Sequence, residues 1–167
     1  MAGFVESVGK IDYNEAAAEF SRLFEQPGRP PVPFWESYYL TGEHVFMLPE
    51  AAEVRDAYLQ NACVPTCLLN VPNDSIGLEL AYMEKLASRC MMAFDQGDEI
   101  SYSKNAKASL EFLEKHLGTW IPKFFVRMAE FHHVDYYSHV SYLLINFIVE
   151  DKILLRDDIE CIRGIDV

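Results

Sequence analysis

The residues able to do chemistry fall in a few separated places along the chain. Glu36 sits inside an aromatic run, Phe34-Trp35-Glu36-Ser37-Tyr38-Tyr39. Asp74 and Glu79 follow the turn at Pro72 and Asn73, with Ser75 and Leu78 between them. Carboxylates beside aromatic and aliphatic side chains suit one task above others, the capture of a peptide that is basic at one end and apolar at the other. Each of these residues also has a plainer use: Asp74 as a helix N-cap, Trp35 and Tyr39 as core. His116, followed by Trp120 and Pro122, is a second-rank candidate, because a single histidine most often serves as a hydrogen-bonded structural group. His132, Asp135 and His139 have the spacing of one helical face and could ligate a metal on a continuous helix, but Asp135 reads as the cap of a new helix, which would split the set. Cys63 and Cys67 flank Pro65 in a loop with no second Cys/His pair at zinc spacing, so thiols without a metal or redox role are expected. No phosphate-binding glycine loop, nucleophile elbow or kinase motif occurs, so the chain is not read as an enzyme.

The elements that must position these residues are helical. Asp12 and Glu15 resemble a capping box for a helix over 13–25, stopped by Gln26-Pro27-Gly28. A proline-rich connector over 29–33 leads into the aromatic run, closed by Gly42. Pro49 opens a helix to about Asn61, and 63–72 is a loop. A long helix over 75–96 begins behind Asp74 as N-cap, keeps Glu79, Glu84 and Lys85 polar, and ends at Gly97. Residues 98–103 read as a linker, 104–117 and 120–131 as helices, and 136–151 as a helix turning Val140, Leu143, Leu144, Phe147 and Ile148 inward. Residues 152–167 stay open between a short helix, an edge segment and a tail. With no strand alternation and no repeat, the fold class is all-α, about seven or more helices in one domain over 1–167, with 1–11 a flexible lead-in.

Composition narrows the partners. Half of the 167 residues are apolar, enough for one packed core, and the net charge is −12. The first hundred residues hold 16 acidic against 6 basic side chains, so a basic ligand is expected there and nucleic acid is not. The N-terminal decapeptide lacks a signal-peptide pattern and the longest apolar run, 140–149, is too short to span a bilayer, so the expected location is the cytoplasm.

Three stretches resemble one known family. Arg22-Leu23-Phe24, the prolines to Pro33 and Phe34-Trp35-Glu36-Ser37-Tyr38-Tyr39-Leu40 are similar to its "RLF…P…P-x-x-E-S-x-Y/L" segment. Pro72-Asn73-Asp74-Ser75 with Glu79 is similar to its Pro-x-Asp-His…Glu motif. Phe112 to Phe124, through His116-Leu117 and Trp120-Ile121-Pro122, is similar to "F-x-x-x-H-L-x-x-W-x-P-x-F". This is the TorD/DmsD/NarJ family of molybdoenzyme maturation chaperones, and the resemblance covers about 13–150. Two departures stand out. Only twelve residues precede the first motif where the family carries more helix, and Ser75 replaces the family histidine, so no group there titrates near neutral pH.

The resemblance implies a TorD/NarJ-like helical bundle, monomeric or a homodimer, swapped or not. It implies a chaperone that binds the N-terminal, twin-arginine-type segment of a molybdopterin oxidoreductase subunit and holds it for cofactor insertion. The peptide-binding residues it implies are Trp35, Glu36, Tyr38, Tyr39, Pro72, Asp74, Ser75, Leu78, Glu79 and His116, with no metal and no cofactor. Glu36, Asp74 and Glu79 would meet arginines, and Trp35, Tyr38, Tyr39 and Leu78 would line an apolar groove. Two other classes stay open: a small metal-binding helical enzyme or carrier using His132, His133, Asp135 and His139, and a scaffold subunit of a larger complex.

Overall fold

The computed structural model describes residues 12–63, 71–131 and 135–165. Among them are seven α-helices and no strand: α1 Tyr13–Phe24, α2 Glu36–Thr41, α3 Pro49–Gln60, α4 Ile76–Gln96, α5 Glu99–Lys115, α6 Leu117–Ala129 and α7 Asp135–Ile165. The all-α expectation holds. α4 packs along α5, α5 and α6 pack on α7, and short α2 leans on α6 and α3. The shared core runs from Leu23 and Val32 through Val54, Tyr58 and Leu86 to Leu113, Trp120 and Ile121.

Local signals explain most helix ends. Asp12 accepts from the Asn14 amide at 2.8 Å and caps α1. Gly42 and Gly97 take the left-handed conformation, φ +79° and +67°, that closes α2 and α4. Other expectations need correction. Residues 98–103 are not a linker: the Asp98 amide closes α4 on the Ala93 carbonyl (2.9 Å), while its carboxylate accepts from Ser101 N–H (2.9 Å) and opens α5. One residue thus serves both ends, and five linker residues become helix. The ambiguous tail is helical too, since α7 continues unbroken to Ile165. On α7, Ile148 is buried and Leu144 packs on the core, but Val140, Leu143 and Phe147 are exposed. That segment is apolar all round, so its periodicity could not name the inward face, which carries Ser141, Ile148 and Ile159.

The sharpest local constraint is the α5–α6 junction. His116, at φ −117° and ψ −94°, is the hinge residue between the two helices. Gly118 follows it so closely that an added Cβ would lie 2.4 Å from the Leu113 carbonyl oxygen. Pro122 falls inside α6, where its missing N–H cannot return to the Gly118 carbonyl. Gly77, in the first turn of α4, has open space at its Cβ position. Gly118→Ala is therefore expected to cost about 2 kcal/mol or more, while Gly77→Ala is expected to stabilise by about 0.5–1 kcal/mol. Urea unfolding midpoints of the two variants check the contrast, and equal effects would refute the assigned junction geometry.

Candidate functional site

Two extended segments meet in front of α2 and α4 and create the site. The Ile76 amide donates to the Phe34 carbonyl and the Glu36 amide to the Asp74 carbonyl, each at 2.9 Å, around an antiparallel bridge between Trp35 and Ser75. This lashes the first two motifs together. Asp74 does not cap its own helix, as its spacing predicted. Ser75 holds the N-cap position of α4, and the Asp74 Oδ2 accepts instead from the Ser37 amide, 2.8 Å away in the first turn of α2. The bridge turns the carboxylate across the chain, where the exposed N–H groups and positive end of α2 receive it.

The bridge brings Glu36 and Glu79 into one buried cluster, at 1% and 0% exposure. Glu79, expected to keep a polar position on its helix, shares the buried face of α4 with Leu78, Tyr82 and Leu86. The third motif closes the cluster from α6 and its hinge. His116 Nδ1 lies 3.0 and 3.2 Å from the two Glu36 oxygens, and Trp120 Nε1–H donates to Glu79 Oε2 at 3.0 Å. Tyr39 stacks on Trp120 with centroids 5.4 Å apart and donates its hydroxyl to the Pro33 carbonyl at 2.7 Å. Tyr58 of α3 donates to the Asn73 carbonyl at 2.9 Å. Three stretches distant in sequence thus share one knot.

Burial dominates its electrostatics. Loss of water, then the charge of Glu36, holds Glu79 well above the usual carboxylate range, against the opposing pull of Trp120. Glu36 is raised by burial as well, with the His116 hydrogen bond and charge opposing. Each buried charge raises the other carboxyl, so the pair favours a proton on one of them, and Glu79 is the one raised further. Glu36 keeps its contact with His116 Nδ1.

The knot is well buried but not well satisfied. Seven buried side-chain polar atoms lack a partner among the described residues, and five belong here: Trp35 Nε1, Ser37 Oγ, Asp74 Oδ1, Ser75 Oγ and Glu79 Oε1. Of the other expected site residues, Leu78 is buried, while Tyr38, Tyr39 and Pro72 are half-buried. Trp35 is 2% exposed under Phe46, ring centroids 5.0 Å apart. Val45, Phe46 and Met47, an exposed apolar tip with Met47 at φ +65°, went unnoticed because three residues in a loop have no period to detect. His132, His133, Cys67 and the Asp135 side chain lie outside the described residues. His139 is exposed, and no group of three metal-ligating side chains occurs among the described residues.

A raised carboxyl pKa fixes the sign of a pH effect. The folded chain holds these protons more tightly than the unfolded one, so the stability they contribute is present below the unfolded value and declines as pH rises through the folded value, by up to about 1.4 kcal/mol per pH unit. Glu79→Gln keeps the acceptor for Trp120 and replaces the O–H donor with N–H. It is expected to shrink the loss of unfolding free energy between about pH 5.5 and about pH 8.5. Glu79→Ala, which leaves the Trp120 N–H unpaired, is expected to cost about 1–3 kcal/mol at either pH. A glutamine variant with the wild-type slope would show that Glu79 holds no proton more tightly in the folded chain.

Residues 1–126 match the family model described as nitrate reductase delta subunit. The chaperone protein TorD of Vibrio cholerae is 27% identical over 146 residues, 87% of this chain and 64% of its own length. The chaperone protein TorD of Vibrio vulnificus is 29% identical over 142 residues, 83% of this chain and 63% of its own. The probable Tat proofreading chaperone DmsD of Haemophilus influenzae is 23% identical over 145 residues, 87% and 64% of the two chains. The chain therefore spans a little under two thirds of the length of these relatives, which are named as chaperones and not as enzymes. No solved structure matches. Since the matched segment holds all three motifs and the model covers most of the chain, the protein belongs to the nitrate reductase delta subunit family, the TorD/DmsD/NarJ group to which its motifs point.

Proposed function

We propose that this protein is a cytoplasmic chaperone that binds the N-terminal, twin-arginine-type segment of a molybdopterin oxidoreductase subunit and holds it until cofactor is inserted. The observation that carries this reading is the meeting of all three motifs in one buried knot that leaves five polar atoms unpaired. A merely structural junction would be expected to satisfy them, because each unpaired buried group costs about 1–3 kcal/mol. Atoms left unpaired around a sheet-like bridge are what an extended peptide can satisfy, by entering beside Trp35 and Ser75.

The apolar half of such a segment has a neighbouring surface. Phe46 covers Trp35, Tyr38 packs on His44 (4.6 Å), and Tyr39 lies beside Tyr38 (5.0 Å). Displacing the Val45–Met47 tip would uncover Trp35, with Tyr38 and Tyr39 forming the adjacent wall. In this reading Glu36, Asp74, Ser75 and Glu79 are the floor of the site, and Pro72, Leu78 and His116 fix its shape. No helix among the described residues is long and apolar enough to cross a membrane.

Calorimetric titration with N-terminal peptides of co-expressed molybdoenzyme catalytic subunits tests the proposal. Binding near about 1 μM is expected, about −8 kcal/mol. Phe46→Ala, at a site already 55% exposed, is expected to weaken it several-fold without lowering the unfolding midpoint. A folded, monodisperse protein that binds none of these peptides would falsify the reading.

A further inference from the structure

With Glu36, Asp74 and Glu79 turned inward and buried, the basic end of a bound segment needs carboxylates nearer the surface. A cavity of about 310 Å³ lies between α3 and α5, on the other side of His116 from Glu36. Glu53 and Asp56 of α3 and Glu111 of α5 stand at its rim. Glu111 is paired with Lys115 at 2.5 Å, whereas neither Glu53 nor Asp56 forms a salt bridge among the described residues. The rim thus carries three carboxylates against one ammonium.

An acidic rim alone would say little, but the floor points to a ligand independently. The His116 side chain is only 9% exposed and lines this cavity. Its Nδ1 is committed to Glu36, and Nε2 has no partner among the described residues. An imidazole that donates Nδ1–H to a carboxylate carries, in its neutral form, a lone pair at Nε2. Asn61, also in the lining, donates its amide N–H groups to the Ala57 carbonyl and the Tyr82 hydroxyl, so its side-chain oxygen remains an acceptor. The ring of Phe112, 4.7 Å from that of His116, adds a flat wall. These acceptors are not gathered closely enough for a metal ion, since no metal-holding group of three occurs among the described residues. Separated acceptors beside an aromatic face suit a planar cation with several N–H donors better than a compact ammonium.

We propose that this cavity is a guanidinium subsite, in which an arginine side chain donates to His116 Nε2 and Asn61 while its charge is met by Glu53 and Asp56. Identifying the bound segment as the source of that arginine rests on the chaperone reading; the subsite itself does not. Occupancy also reaches the buried knot, because a donor on Nε2 acts on the ring that holds Glu36.

The test is a titration of the full chain with a blocked arginine dipeptide, followed by the imidazole NMR signals of His116, assigned from their loss in His116→Gln. A saturable shift is expected, weaker by at least about tenfold with the neutral citrulline dipeptide and in the Glu53→Gln/Asp56→Asn double variant, whose changes lie on the exposed rim. No saturable shift, or equal affinity in the double variant, overturns the subsite. The same comparison with leader peptides separates the two ideas. If the arginine dipeptide binds and the leaders do not, the subsite stands and the chaperone reading falls. If leaders bind equally well with citrulline in place of arginine and to the double variant, the subsite falls and the chaperone reading stands.

Discussion

The burial of Glu36 and Glu79 in one cluster is the constraint on which the centre of this molecule depends. Two carboxylates at 1% and 0% exposure cannot both stay ionised beside one another, and neither pairs with an arginine or lysine among the described residues. The burial is met by one imidazole on Glu36 and one indole N–H on Glu79, and it favours a proton on one of the two carboxyls. Each partner comes from a different stretch of chain, so the pair ties together α2, α4, the α5–α6 hinge and α6. The close approach at Gly118 and the unusual backbone of His116 follow from the same demand, since the imidazole must reach Glu36 while Trp120, one turn later, reaches Glu79.

A centre of this kind is stable only while it is dry. Its neighbours supply the seal: Tyr39 stacked on Trp120, Tyr58 spanning to Asn73, and Phe46 lying over Trp35. The seal is uneven. On the α3–α5 side His116 reaches the edge of an acidic cavity, and on the other side the cover is an exposed loop tip with a residue in a left-handed conformation. A molecule that closes its polar centre with such a tip holds the segment over the site at the low-stability end of the structure, where opening costs least. The replacement of the family histidine by Ser75 fits this centre. Ser75 sits in the bridge with Trp35, buried and hydrogen-bonded through its backbone, and the imidazole of the site belongs to His116.

The interior also explains where sequence periodicity misleads. α4 carries Glu79 inward because the Trp35–Ser75 bridge sets the rotation of its first turn. The same rotation places Leu78, Tyr82 and Leu86 in the core and leaves Ala87 exposed. On α7 the opposite problem arises: an excess of apolar residues leaves Phe147 and Leu154 exposed at 55% and 61% although nothing in their chemistry distinguishes them from Ile148.

The sequence by itself determined the helical class, most helix ends and the family. Those are encoded locally, in caps such as Asp12, stops such as Gly42 and Gly97, proline positions and motifs read in order. It also determined which residue types gather in the motifs, and so named Glu36, Asp74, Glu79 and His116 as a group worth watching. Only the tertiary structure decided how they are used. Whether a carboxylate meets water, a helix end or another carboxylate depends on contacts made between residues 37 to 80 positions apart, as between Ser37 and Asp74 or Glu36 and His116. No local pattern carries that information. A glutamate on a helix is read as polar because exposure is its ordinary fate, and only a neighbour brought in from elsewhere, here the indole N–H of Trp120, makes its burial tolerable.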